Sequence, residues 1–114
     1  MSIEIKPKPD ANKLLHDIGK FIEEPSLPAV SAILEYCISN NCAEYVPVSS
    51  KIELVQIRDR FAQDYLGLGP AAGEAGINKV CYAMRDAYPV RRVTFLYLLA
   101  EYTDSIEWLE QPSD

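Results

Sequence analysis

The sequence predicts an all-α fold, a compact single-domain bundle of about five helices with at most one very short extended segment near residues 44–48. Three features predict it. Apolar residues recur at the i, i+3, i+4, i+7 spacing of a helix face along most of the chain. Eight prolines divide the chain into pieces of helix length. Residues 93–102, VTFLYLLAEY, carry only Thr94 and Glu101 as plainly polar positions, and a helix apolar on nearly every side has to be enclosed by other elements. With 114 residues, 48% hydrophobic and 25% charged, the chain can bury about two thirds of the surface it exposes when unfolded, so neither a disulfide nor a metal is needed to hold it.

Lys6-Pro7-Lys8-Pro9 predicts an extended arm over residues 1–9. Asp10 is the expected N-cap of a first helix running to about residue 23, with Leu14, Leu15, Ile18, Phe21 and Ile22 inward. Lys13 with Asp17 and Lys20 with Glu24 are its outer i, i+4 pairs. Pro25-Ser26-Leu27-Pro28 breaks that helix and starts a second, with Ser26 or Leu27 near the cap and Pro28 in the first turn where a missing donor costs nothing. Its stripe is Val30, Ile33, Leu34, Cys37 and Ile38, and Ser39-Asn40-Asn41 stops it. Tyr45, Val46, Pro47 and Val48 predict an extended crossing or a very short edge strand.

Ser50 and Glu53 form a capping box, in which the serine hydroxyl accepts from the Glu53 amide and the carboxylate reaches back to the Ser50 amide. A third helix is expected from there to about residue 66, with Leu54, Ile57, Phe61 and Tyr65 inward. Gly67 occupies the left-handed C′ position, and Leu68 folds back on the last turn. Gly69-Pro70-Ala71-Ala72-Gly73 predicts a loop leading to a fourth helix built on Ile77, Val80, Cys81 and Met84. Pro89 interrupts the chain after Tyr88. A fifth helix is expected over about 90–106, because the apolar run continues past the length of a buried strand. The helical domain is thus expected over residues 10–108, with a frayed tail over 109–114.

The order Tyr45-Val46, Ser50-Lys51-Ile52-Glu53-Leu54, Phe61, Leu66-Gly67-Leu68, Ile77, Val80-Cys81, Met84, Arg92-Val93-Thr94-Phe95 and Tyr97-Leu98-Leu99-Ala100-Glu101 resembles a family of small uncharacterised bacterial proteins. That domain-of-unknown-function family has the pattern YVA…DKxELExVKxNFLxKKLGL…I…VC…M…RVTFYYLLAE. The likeness runs from about residue 26 to 102. The chain departs from it at Gln63-Asp64, where the family is basic, at Pro47, and in its proline-rich arm. The resemblance implies a helical fold and cytoplasmic residence, and it supplies no catalytic residue.

The 17 acidic against 11 basic residues give a formal charge of −6. That balance opposes long-range attraction to nucleic acid or an anionic membrane and permits a partner protein with a basic surface. The start MSIEIKPKPD has no apolar core, no apolar run approaches the roughly 20 residues of a membrane span, and the three cysteines lie in or beside apolar stretches. Reduced thiols in the cytoplasm are therefore expected.

Two constellations are candidate interaction surfaces. The first is Arg85, Arg91 and Arg92, with Tyr82 and Tyr88 interleaved. Two of these arginines fall at the start of the last predicted helix, where the positive end of the helix dipole disfavours cations. They require a compensating anion: an internal carboxylate, a phosphate held by the helix N-terminus, or an acidic patch on a partner. The second is the acidic stretch Glu101, Asp104, Glu107, Glu110 and Asp114, without a base and at spacings of three or four, with Trp108 inside it. It reads as a solvated face, as the internal partner of the arginines, or as a surface that docks on a partner's arginines. Trp108, with Ile106 and Leu109, either anchors a partner or packs on the first helix.

Catalysis finds no constellation. His16 is the only histidine, and it lies between lysines. With Cys37 and Cys42 it makes three ligands, short of a closed zinc site. Cys81 sits in a core stripe, where thiols are inert. Gly67, Gly69 and Gly73 form no phosphate loop. No enzyme activity and no cofactor are expected. The function expected is that of a non-catalytic acidic helical protein acting by protein–protein contact, as a regulator or an inhibitor, including one of phage type that blocks a basic surface. The alternative is a small-molecule or nucleotide binder with an anion site at the start of the last helix. Seven tyrosines and an apolar last helix are also compatible with a homodimer.

Overall fold

Residues 11–111 are described by a computed structural model. Among them the chain forms six helices and no strand. α1 is Ala11–Ile18, α2 is Leu27–Ser39, and α3 is Lys51–Gln56, which runs on as a π-helical segment, Ile57–Tyr65. α4 is Pro70–Ala83, α5 is Arg92–Tyr102 and α6 is Ile106–Glu110. The residue order explains the layout: α5 is buried at every position from 92 to 100, because its sequence offers no polar face to water. α1, α2, α4, α6 and the π segment all pack on it. Tyr97, Phe95, Leu96, Leu98 and Leu99 are fully enclosed, together with Leu14, Ile18, Ile33, Phe61 and Val80 from the surrounding helices.

The predicted starts of two helices hold. Ser26 caps α2, its hydroxyl accepting from the Ala29 amide at 3.3 Å. Ser50 caps α3 in the same way from the Glu53 amide, also at 3.3 Å. The reverse half of that capping box does not form: the Ser50 amide donates to the Pro47 carbonyl at 2.8 Å, while the Glu53 carboxylate turns to Arg92. Gly67 has φ +75°, the left-handed conformation that ends the third helix. The segment over 42–48 is an extended crossing and not a strand. One antiparallel bridge, Tyr45 to Arg91, fastens it, with the Val46 amide bonding Val90 O at 2.8 Å and the Arg92 amide bonding Glu44 O at 2.7 Å.

Several boundaries differ from the sequence expectation, each for a local reason. The first helix ends at Ile18, not near residue 23. The chain tightens after Gly19, and Phe21 and Ile22 reach the core from a turn. Lys20 consequently pairs with Asp17 at 3.6 Å, and Lys20 and Glu24 no longer share a helix face. The stretch expected as a loop over 69–73 is the first turn of α4, since Pro70 occupies a position whose amide needs no partner.

The expected fifth helix is two helices. Asp104 adopts φ +57°, and the Ser105 amide bonds Ala100 O at 2.8 Å, closing a Schellman cap on α5 before α6 begins. Thr103 assists by donating its hydroxyl to Leu99 O at 2.8 Å. The expected fraying from residue 109 is not what is seen at that position: Leu109 is buried and Glu110 ends α6. Asp10, the arm over 1–9 and residues 112–114 lie outside the described residues.

The third helix also holds a feature with no counterpart in the expectation. Over Ile57–Tyr65 the backbone bonds widen to the i to i−5 pattern, as in Leu66 N to Phe61 O at 2.9 Å. α4 lies close by. Gly76 faces α5 so tightly that an added Cβ would stand 2.7 Å from Leu99 Cδ1 and 2.8 Å from Thr103 Cγ2. The substitution Gly76→Ala should therefore cost about 1–3 kcal/mol, read as a lower urea midpoint, because overpacking outweighs the gain in helix propensity. A neutral or stabilising result would contradict this approach of α4 to α5.

Candidate functional site

Arg92 is the first residue of α5 and is only 7% exposed. A cation at a helix N-terminus, out of water, is doubly disfavoured, and three acceptors from two other segments answer it. Its Nε donates to Ala43 O at 2.6 Å, and its Nη2 donates to Tyr45 O at 3.4 Å and to Glu53 Oε1. Arg91, the N-cap residue, donates Nη1 to Glu44 Oε1 at 3.1 Å and lies 3.9 Å from Asp17 Oδ2. Asp17 also accepts from the hydroxyl of the fully buried Thr94. Of the anions that the sequence left open, internal carboxylates are the ones in place. Arg85 does not join this corner. It lies over the Tyr82 ring, 4.2 Å from the centroid, and its Nη1 donates to Tyr82 O at 2.8 Å. Tyr88 is 96% exposed.

The acidic stretch is likewise divided. Glu101 lies in α5 and half-buried, Asp104 forms the left-handed turn, and Glu107 belongs to α6, so the carboxylates do not line one continuous helix face. Glu110 accepts from the hydroxyl of Ser26, whose own amide bonds the buried Tyr97 hydroxyl at 2.8 Å. This junction sets α6 against the start of α2.

Trp108 does not pack on α1. It meets Tyr65 of the π segment edge to face, with centroids 5.2 Å apart and planes at 90°. Tyr65 in turn lies 4.7 Å from Tyr36 of α2 and 5.5 Å from Phe61. The rings thus form a chain that begins in the core at Phe61 and reaches water at Trp108, which is 47% exposed. Tyr36, Tyr65 and Trp108 line a groove of about 870 Å³ between α2, the π segment and α6, together with Glu35, Arg60 and Asp64. Among the described residues none of those three charges makes an ion pair. Burial, then Glu35, pushes the pKa of the Tyr65 hydroxyl above its ordinary value, so it holds its proton more firmly. Burial, then Cys42 and Cys37, also pushes the pKa of Tyr36 up, with Arg60 acting against the shift and Asp64 adding to it.

Of the predicted interaction residues, only Trp108 lines this groove. Glu35, Tyr36, Arg60, Asp64 and Tyr65 were not singled out as interaction residues; Tyr65, like Phe61, was expected only as an inward position of the third helix. The π segment supplies Asp64 and Tyr65, and no composition cue marks it.

Cys37 and Cys42 are brought together by the cap of α2. Asn41 takes φ +51° and the Cys42 amide bonds Cys37 O at 2.9 Å, the geometry in which these two positions make the cap's side-chain contact. Burial first, and then the Cys42 thiol, push Cys37 up to about 12. His16 is exposed on α1, and among the described residues no group of three or more His, Cys, Asp or Glu could hold a metal.

Over residues 11–107 the sequence matches the family described as "Protein of unknown function (DUF2853)". The chain belongs to this family. No curated protein and no solved structure matches it. Among the described residues of this DUF2853 member, no helix is long and apolar enough to cross a membrane.

Two measurements check the site chemistry. Glu53→Ala leaves the Arg92 guanidinium without its carboxylate and should cost about 2–3 kcal/mol in urea unfolding. That is less than the loss for a fully buried pair, since the Glu53 side chain is 25% exposed. A loss within the ~0.5 kcal/mol of an ordinary surface change would contradict the pairing.

The second concerns pH. With its folded value above the ordinary 9.0, Cys37 keeps its proton in the native state while the unfolded chain loses it, so stability falls as pH rises from 9 towards 12. Cys37→Ala should flatten the first part of that fall. Equal slopes for both proteins between pH 8.5 and 10 would refute it.

Proposed function

We propose that this protein is a non-catalytic interaction module of the cytoplasm, acting as a regulator or inhibitor through the aromatic groove of α2, the π segment and α6. The single observation that carries this reading is Trp108: a large ring left half in water at the end of a chain of packed aromatics, where a partner can cover it at little ordering cost. The neighbouring π-helical turns support it, because such widening of an α-helix is frequently found at working sites. An anion site at the start of α5 has less support, since Arg91 and Arg92 are engaged by Glu44, Asp17 and Glu53. A dimer formed through the apolar helix is also less supported, since α5 is enclosed within one chain.

Affinity capture from a host lysate, with retained proteins identified by mass spectrometry, tests the proposal. A defined protein should be retained by the wild type and by Tyr82→Ala, an exposed change on α4, and lost with Trp108→Ala. Retention unaffected by Trp108→Ala would move the working surface elsewhere.

A further inference from the structure

The groove carries charge as well as rings, and the two together indicate what fits it. Two exposed carboxylates, Glu35 and Asp64, line it against one guanidinium, Arg60, and none of the three is neutralised by an ion pair among the described residues. Between them lie the rings of Tyr36, Tyr65 and Trp108, whose faces attract cations. Rings and unpaired acids line the groove, so it is complementary to an alkylammonium or guanidinium group on an apolar stem. At about 870 Å³ and open to solvent along its length, it is larger than one such side chain and accommodates several residues of a peptide. Aromatic-lined grooves favour segments already extended by proline, which lose little entropy on docking and set their pyrrolidine rings between aromatic rings tilted to one another as Tyr36, Tyr65 and Trp108 are.

Resting on the interaction reading above, we infer that the groove binds an extended, proline-punctuated peptide segment that presents a lysine or arginine to Trp108 and Tyr65, between Glu35 and Asp64. The partner is another protein carrying such a segment. The sequence Lys6-Pro7-Lys8-Pro9 of this chain has the same chemistry and supplies a ready probe sequence.

Trp108 is the only tryptophan in the chain, so its fluorescence reports the groove directly. The intact protein is titrated with a synthetic Pro-Lys-Pro-Lys-Pro peptide and with a matched peptide bearing glutamate in place of lysine. The lysine peptide should give a saturable change in emission that weakens as salt is raised; the glutamate peptide should give none. Three exposed substitutions supply signed controls, each checked for an unchanged circular dichroism spectrum. Glu35→Gln and Asp64→Asn should each weaken binding by about two- to fivefold, and Arg60→Gln should strengthen it by a similar factor.

An equal response to both peptides, no response to the lysine peptide, or weaker binding with Arg60→Gln would overturn the inference. So would competition-free binding of the lysine peptide to a Trp108→Ala protein, read by calorimetry. If capture of a partner depends on Trp108 while the lysine peptide fails to bind, the interaction reading stands and the cationic segment is wrong.

Discussion

Everything in this molecule is arranged around the desolvation of α5. A helix with nine consecutive buried residues has no solvent face, so each neighbour is defined by the strip of α5 that it covers. Burial of large side chains such as Tyr97, Phe95 and Leu99 contributes about 1.5–3 kcal/mol each relative to exposure, and that drive sets the positions of the shorter helices. α1 and α6, with eight and five residues, are too short to be stable alone. They are helical because they lie on this core.

Enclosure creates a polar problem at each end of α5, and the solutions tie distant segments together. At the start, the cationic Arg91 and Arg92 draw Glu44, Asp17 and Glu53, which fastens α1, the 42–48 crossing and α3 to one point. At the other end, Thr103 and the left-handed Asp104 close the last carbonyls. Near the middle, the hydroxyl of the buried Tyr97 receives the Ser26 amide, and Ser26 also holds Glu110. The aromatic groove is a consequence of these tethers: they bring α6 beside α2 and the π segment, and Trp108 is the apolar residue of α6 that the core leaves exposed.

The enclosed helix was legible because its apolar run outlasts a buried strand, the alternative that composition alone left open, and so were the caps, since Ser26, Ser50 and Gly67 are residues whose chemistry matches one backbone position. Boundaries set by tertiary partners were not. Nothing in the sequence distinguishes Asp104 as a left-handed residue from Asp104 as one more acid on a helix, so the acidic stretch read as a single face. Glu53 fits a capping box equally well by sequence, and only the buried guanidinium of Arg92, 39 residues away, draws it off. The arginine corner was recognised as requiring an anion, and the structure supplies internal ones. The groove was legible only through Trp108: its other walls come from three separate segments, and the π widening that positions Tyr65 depends on packing, not on local propensity.

The central claim is that α5 is the enclosed axis on which the other helices depend. Amide hydrogen exchange followed by NMR tests it most directly. Amides in the middle of α5 should exchange only through global unfolding, at rates that track the urea-derived stability, while those of α1 and α6 exchange faster through local opening. Exchange in α5 as fast as in α6 would contradict the account.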